Sequence, residues 1–217
     1  TVEDAHQIGR AVAEDARGGK SRLAKIETKQ VAIDSFSLGE TDFDAAYARW
    51  IFIFLKDPEA AIRNIGKHLR PGGLFMLQEY VDYSTMALHS PALYAKSPSV
   101  KPNEGIATFR KMVDAVVGSW AKHGGDANVG GKLPALLARN GFEIVSLMPQ
   151  TRVGRPTQKI WQWPDSFYRN YLPILVRDGY LSESDAAETW RIWEEASRDP
   201  NAFYVGPMVL DIVVRKI

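Results

Sequence analysis

The chain has 217 residues, of which 45% are hydrophobic and 24% charged, the composition of an ordinary globular protein. Lysine and arginine total 27 and aspartate and glutamate 26, and this near balance argues against a nucleic acid as partner, because neutralising phosphates needs clustered cations. The absence of cysteine excludes disulfides, thiolate metal sites and cysteine nucleophiles. No apolar run approaches the roughly 18 residues that span a bilayer and there is no secretory leader, so we expect a cytoplasmic protein with no membrane partner.

Helix and strand signals alternate along the first part of the chain. Apolar residues at helical spacing predict a helix that ends before Gly18 and Gly19. Asp57 followed by Pro58 is typical of the start of a helix, and the Pro-Gly-Gly run at 71–73 of its end. The predicted elements are a helix at 2–17, strands at 24–33 and 43–51, a helix at 58–69 and a strand at 74–81. This alternation favours an α/β fold with a parallel sheet.

Helices dominate the second part of the chain, after a polar stretch at 82–103. Ser182, with Asp185 three residues later, is typical of a helix start and separates the last two of these helices. The predicted elements are helices at 104–122, 132–140, 158–177 and 183–198, and strands at 142–149 and 204–215. We interpret the chain as one domain over residues 1–217, with helical cap elements at about 82–125 and 158–199.

A family resemblance is carried by the run FDAAYARWIFIFLKDPEAAIRNIGKHLRPGG and the LFMLQEY that follows it. It resembles the middle of class I S-adenosylmethionine-dependent methyltransferases, in which a Phe-Asp pair opens strand 4 and a helix ending in Leu-Arg-Pro-Gly-Gly precedes strand 5. The Gly-Phe turn at Gly141 and the closing strand are also similar. The resemblance implies a Rossmann-like α/β sheet of order 3-2-1-4-5-7-6, with the last strand inserted antiparallel between strands 5 and 6.

Two features of that family are missing from this sequence. The Gly-rich cofactor loop after strand 1 and the acidic residue that ends strand 2 are absent, and residues 2–17 resemble the helix after strand 2. We therefore expect the chain to lack strands 1 and 2 and to be N-terminally incomplete, the missing part belonging to the native gene product. The adenine-binding aspartate after strand 3 is replaced by Ala32, with Asp34 two residues further on.

The resemblance implies S-adenosylmethionine as cofactor and methyl transfer to an oxygen or nitrogen of a small-molecule substrate. The balanced charge, the aromatic-rich insert and the lack of an appended recognition domain favour a small acceptor. Ligands of open α/β sheets bind at the carboxyl ends of the strands. The predicted cofactor-binding residues are Ala32 and Ile33 through their backbone, and Ala48, Arg49 and Trp50 at the end of strand 4. For Arg49 and Trp50 a structural ion pair and core packing remain alternatives.

Polar and aromatic side chains further along the chain supply the other candidates. Glu79 is predicted as a catalytic base at the end of strand 5, with a local capping contact as the alternative. His89, in the expected lid, is the second candidate base, since an imidazole titrates near neutral pH, although a solvated loop histidine is the simpler interpretation. The predicted substrate-binding residues are Gln78, Tyr80, Trp163 and Phe167. The last two also fit one packed helix face, and the four histidines have no ligand-like spacing, so we expect no metal.

Two other functions are compatible with these residues. One is a methyltransferase-like protein that has lost cofactor binding and serves as a partner or scaffold. The other is an enzyme that runs a non-methylating reaction, such as a cyclisation, in the same pocket. An apolar strand 4 left at the edge of the sheet would also favour pairing of two copies, so we consider a homodimer.

Overall fold

The computed structural model describes residues 26–39, 41–91 and 104–217. In these ranges the strands are β1 (Phe43–Arg49), β2 (Leu69–Asp82), β3 (Ala87–His89), β4 (Phe142–Gln150), β5 (Val153–Gly154), β6 (Phe203–Val205) and β7 (Met208–Lys216). The helices are α1 (Pro58–His68), α2 (Glu104–Lys122), α3 (Leu133–Arg139), α4 (Gln162–Arg177) and α5 (Glu183–Arg198). None of the described helices is long and apolar enough to cross a membrane.

The main sheet has four described strands in the order β1-β2-β7-β4. Strands β1 and β2 are parallel, and β7 is antiparallel to both β2 and β4. The predicted insertion of an antiparallel last strand is therefore confirmed, as is the Rossmann-like α/β fold class. Because β1, β2 and β4 all run in one direction, their carboxyl ends meet at the same edge of the sheet.

A second, antiparallel sheet of three short strands has the order β3-β6-β5. The sequence predicts one closing strand at 204–215, but Gly206 and Pro207 divide it into β6 and β7. Proline has no N–H to donate to a ladder, so pairing stops there. The two parts of the closing segment pair with different sheets, and β6 joins the helical part of the fold to the main sheet.

Helix α1 begins at the predicted residue, and its apolar face is buried. The Asp57 carboxylate accepts a hydrogen bond from the Ala60 N–H at 2.9 Å, and Pro58 occupies the first turn. Ala61, Ile62 and Ile65 are buried against the sheet core. Strand β2 starts directly afterwards at Leu69, five residues earlier than predicted from Leu74, because Leu69 pairs with Phe43 before a register shift absorbs the Pro-Gly-Gly run.

The predicted strand at 24–33 is wrong over its described residues. Residues 26–32 form no ladder, and the Ser35 N–H donates to the Ala32 carbonyl in a turn. A strand needs a hydrogen-bonded neighbour, and within the described ranges no strand pairs with this segment or with the outer edge of β1. The start of this prediction and the predicted helix at 2–17 lie outside the described residues.

Helices α2, α4 and α5 pack on one another and on the second sheet, around a core of large aromatic rings. The indoles of Trp161 and Trp193 stack with their centroids 4.3 Å apart, and Tyr168 meets Trp193 edge-on at 4.9 Å. The Ser182 hydroxyl accepts from the Asp185 N–H at 3.0 Å, which confirms the predicted start of α5. This helical layer lies over the carboxyl-end edge of the main sheet.

Candidate functional site

A cavity of about 360 Å³ opens where β1, β2 and β4 end. Its size is in the usual range for small-molecule sites. The cavity is lined by Arg49, Trp50, Gln78, Tyr80, Gln150, Arg152, Ile160, Trp163, Gly206, Pro207 and Val209. Five predicted site residues that are far apart in the sequence therefore come together: Arg49, Trp50, Gln78, Tyr80 and Trp163.

Trp50, immediately after β1, forms the aromatic wall of this cavity. Its φ of +53° is unusual for a bulky residue, and its N–H donates to the Gln78 carbonyl at 3.0 Å. The indole is stacked between Tyr80, at a centroid distance of 5.5 Å, and Trp163, at 5.4 Å. These contacts on both sides hold a conformation that a tryptophan would not adopt alone.

Glu79 lies on the opposite face of β2 from Gln78 and Tyr80 and is fully buried. Its Oε1 accepts hydrogen bonds from the N–H groups of Ile51 and Phe52, both at 2.8 Å. Burial raises the pKa of this carboxyl to about 7, although the backbone donors oppose the rise. Its Oε2 has no hydrogen-bond partner among the described residues. The prediction of Glu79 as a base in the cleft is corrected: residues alternate across a strand, and this carboxylate caps the turn behind Trp50.

Gln78 and Tyr80 project into the cavity from β2. The Gln78 side-chain amide donates to the Asp211 carboxylate on β7 at 2.5 Å, which fixes its orientation. Burial raises the pKa of the Tyr80 phenol, with the neighbouring Glu79 adding to the rise, so its hydroxyl is protonated at neutral pH. The β2 wall of the cavity therefore presents one oriented amide and one neutral phenol.

Two guanidinium groups give the cavity its charge. Arg49 lies over the Trp50 ring, with its Cζ 4.0 Å from the ring centroid. Arg152 lies between β4 and β5, and the sequence analysis missed both it and Gln150. The signal was present, because both residues follow the predicted strand at 142–149, whose carboxyl end reaches the same sheet edge as those of the other parallel strands.

Other predicted residues lie elsewhere. His89 is in β3, stacked on Phe203 at 4.6 Å, because the segment expected to be an irregular lid pairs with β6. Phe167 packs on Tyr171 at 5.0 Å, one helical turn beyond Trp163 and away from the cavity. Neither residue lines the described cavity, and their direct contact with a substrate stays a prediction.

The predicted cofactor-binding residues are divided between two places. Arg49 and Trp50 line the cavity, whereas Ile33 and Ala48 line a second, apolar hollow of about 320 Å³ beside the outer edge of β1. Ala32 lies in the turn at 32–35 and is exposed. Arg49 and Ala48 are separated because neighbouring strand residues project to opposite faces.

Comparison with known proteins supports the resemblance that these residues carry. A family model described as a methyltransferase domain matches residues 4–77. A putative methyltransferase from Bacillus halodurans is 13% identical, with 99% of this chain and 79% of that chain covered at a TM-score of 0.54. A SAM-dependent methyltransferase from Methanosarcina mazei is 14% identical, with 97% and 76% covered at a TM-score of 0.46. No curated protein matches the sequence.

The chain covers only part of several similar structures. The [4+2]-cyclase SpnF is 18% identical at a TM-score of 0.40, with 87% of this chain covered, and the chain spans 54% of its length. The order β1-β2-β7-β4, with an antiparallel last strand, defines a Rossmann-like α/β protein. The methyltransferase-domain model over residues 4–77 and the fold shared with the Bacillus halodurans structure agree with the predicted resemblance to class I methyltransferases.

Proposed function

We propose that this protein is a cytoplasmic enzyme that transfers a methyl group from S-adenosylmethionine to an oxygen or nitrogen of a small-molecule acceptor. The observation that carries this proposal is the cavity at the carboxyl ends of β1 and β2. Residues predicted for cofactor and for substrate line it together, including Arg49 from β1 and Gln78 from β2. In open α/β folds this edge of the sheet is where ligands bind.

The cavity residues fit the methionine end of the cofactor. The Arg49 guanidinium forms no ion pair with any described residue, and it offers two N–H groups to a carboxylate. Trp50, stacked between Tyr80 and Trp163, closes the aromatic side of the cavity beside this guanidinium. When bound, S-adenosylmethionine supplies an electrophilic methyl group. The Gly-rich loop that holds the rest of this cofactor in the family has no counterpart in the described residues.

The contribution of the chain is then orientation and exclusion of water. Trp50, Tyr80 and Trp163 form a continuous aromatic wall, which leaves little room for solvent beside a planar ligand. Gln78, held by Asp211, fixes the position of a polar group on the acceptor. Holding the nucleophile and the methyl group in line can supply several kcal/mol of the activation barrier.

Methyl transfer is tested by incubating the protein with S-adenosylmethionine labelled in its methyl group and a panel of phenols, amines and carboxylic acids. We expect label in at least one acceptor and S-adenosylhomocysteine as the second product. A Trp163→Leu variant should turn over more slowly, with Trp190→Leu, in a separate groove between α4 and α5, as the matched control. Binding of S-adenosylhomocysteine without turnover of any acceptor would favour the non-methylating alternative, and no binding would favour a scaffold.

We also propose that the open edge of β1 pairs two copies of the chain. Phe43 and Tyr47 on β1 are 37% and 63% exposed, and no described strand covers that edge. Unpaired strand edges with apolar side chains are templates for pairing with another chain. Small-angle scattering that gives the mass of a dimer would support this assembly, and the mass of a monomer at the same concentration would exclude it.

A further inference from the structure

We propose that the acceptor is a planar organic acid, and that Arg152 binds its carboxylate. This inference rests on the proposed function, because it names the substrate class of the same cavity. It concerns the wall formed by the ends of β4 and β7, which the sequence analysis did not assign.

The charge of the cavity lining points to an anion. Arg49 and Arg152 are its ionised side chains, and no carboxylate is among the residues that line it. Arg155, three residues further along, donates instead to the Pro200 carbonyl at 2.6 Å. The Arg152 guanidinium, in contrast, makes no hydrogen bond or ion pair with any residue in the described ranges. Two cations in one hollow without a protein counter-charge repel each other, and a bound anion relieves that repulsion.

The backbone of Arg152 is fixed from both sides, so the point from which its side chain extends is defined. Gln150 pairs with Val209 at the end of β4, and Val153 pairs with Val205 at the start of β5. Between them, the Arg152 carbonyl accepts a hydrogen bond from the Gly206 N–H at 2.7 Å. Binding by a side chain on fixed backbone orders fewer bonds, and so loses less entropy, than binding by one on a mobile loop.

The rest of the lining favours a flat apolar body behind the carboxylate. Trp50 and Trp163 stack on each other at a centroid distance of 5.4 Å and form one apolar wall, and Ile160, Pro207 and Val209 close the remaining sides. A flat ring can pack against this apolar lining, and the Gln150 amide, which also lines the cavity, can bind a second oxygen of the acid. The arrangement fits an aryl or similarly conjugated carboxylic acid better than a flexible amine.

The test uses 4-hydroxybenzoate as probe, with its neutral amide, 4-hydroxybenzamide, for comparison, titrated calorimetrically into the chain. We expect saturable binding of the acid, binding of the amide at least tenfold weaker, and an Arg152→Met variant with at least tenfold lower affinity for the acid. Arg198→Met, which removes an exposed guanidinium on α5, is the matched control and should bind like the unmodified chain. Near-ultraviolet circular dichroism checks that each variant keeps its tertiary structure.

A second titration, with S-adenosylhomocysteine, separates this inference from the proposed function and identifies the source of the carboxylate. Arg152→Met should leave the affinity for S-adenosylhomocysteine unchanged. If that affinity falls while the affinity for the acid does not, Arg152 binds the cofactor and the inference is wrong. If S-adenosylhomocysteine binds and neither probe does, the acid acceptor is excluded and methyl transfer stands. If the acid binds through Arg152 and S-adenosylhomocysteine does not bind, the acid site stands and the proposed function fails.

Discussion

The carboxylate of Glu79 accepts a hydrogen bond from the backbone N–H of Phe52 at 2.8 Å, across 27 residues of sequence. The contact joins the end of β2 to the turn that follows β1. The same oxygen accepts from Ile51, so one buried side chain determines where the chain goes after Trp50. The aromatic wall of the cavity thus depends on a residue that does not line it.

Stability should decrease with rising pH because of Glu79. Its pKa in the folded chain is about 7 against an ordinary 4.5, so the folded state holds the proton more tightly than the unfolded state. The contribution is fully present below pH 4.5 and is lost as pH rises through 7, a change of roughly 2–3 kcal/mol. Urea denaturation at pH 5 and pH 8 measures it.

Glu79→Gln is the matched variant for that pH dependence. The amide oxygen can still accept from Ile51 and Phe52, but the side chain no longer ionises. We expect the difference in unfolding free energy between pH 5 and pH 8 to shrink by most of the 2–3 kcal/mol assigned to Glu79. An unchanged difference in the variant would show that another group causes the pH dependence.

Gly130 packs against the end of β2 so closely that a methyl group does not fit. A Cβ at this position would lie 2.6 Å from the Tyr80 carbonyl oxygen, which is backbone and cannot rotate away. Gly130→Ala should therefore destabilise the fold by about 1–3 kcal/mol and weaken ligand binding in the cavity. Gly131→Ala is the control, because a Cβ there meets nothing within 4 Å. Equal melting temperatures for the two variants would contradict this packing.

The Asp57 side chain should contribute to the stability of α1 and hence of the core beneath it. Asp57→Ala removes the acceptor of the Ala60 N–H and should lower the unfolding free energy by about 1 kcal/mol. Asp57→Asn keeps an acceptor oxygen and should lose much less. A loss of the same size in both variants would indicate that the charge of the carboxylate, not its hydrogen bond, provides the stabilisation.

Trp163 should matter for ligand affinity, and Trp190 should not. Trp163 lines the cavity and stacks on Trp50, whereas Trp190 lies beside Arg169 in a separate groove between α4 and α5. Replacing Trp163 by leucine removes one aromatic face, which should weaken binding of an aryl ligand by roughly 5- to 10-fold. Calorimetric titration of both variants measures the difference, and equal losses would place the ligand outside this cavity.

The order of strands and helices was predictable because local signals determine it. Asp57 with Pro58 and the Gly141 turn each mark an element boundary, whereas the Pro-Gly-Gly run lies inside β2. The family resemblance supplied the sheet order. Strand 24–33 was not predictable in the same way. A strand forms only when a neighbouring strand supplies hydrogen-bond partners. The sequence of one segment does not show whether such a neighbour is present.

The site could be predicted where it depends on which strands end at the same edge of the sheet. It could not be predicted where it depends on the face of the strand to which a side chain points. The sequence placed Gln78, Glu79 and Tyr80 at the end of one strand, and all three are there. Which of them faces the cavity follows from the alternation of side chains and the position of the helical layer. Arg152 follows the strand predicted at 142–149, so the same rule of strand ends, with the predicted insertion of β7, leads to it as well.

The most direct test of the proposed function is a calorimetric titration of the chain with S-adenosylhomocysteine, the product of methyl transfer. We expect saturable binding with a micromolar dissociation constant, and weaker binding by the Arg49→Met variant, since Arg49 is assigned to the methionine carboxylate. The absence of heat from a chain whose fold is confirmed by circular dichroism would contradict methyl transfer as its activity.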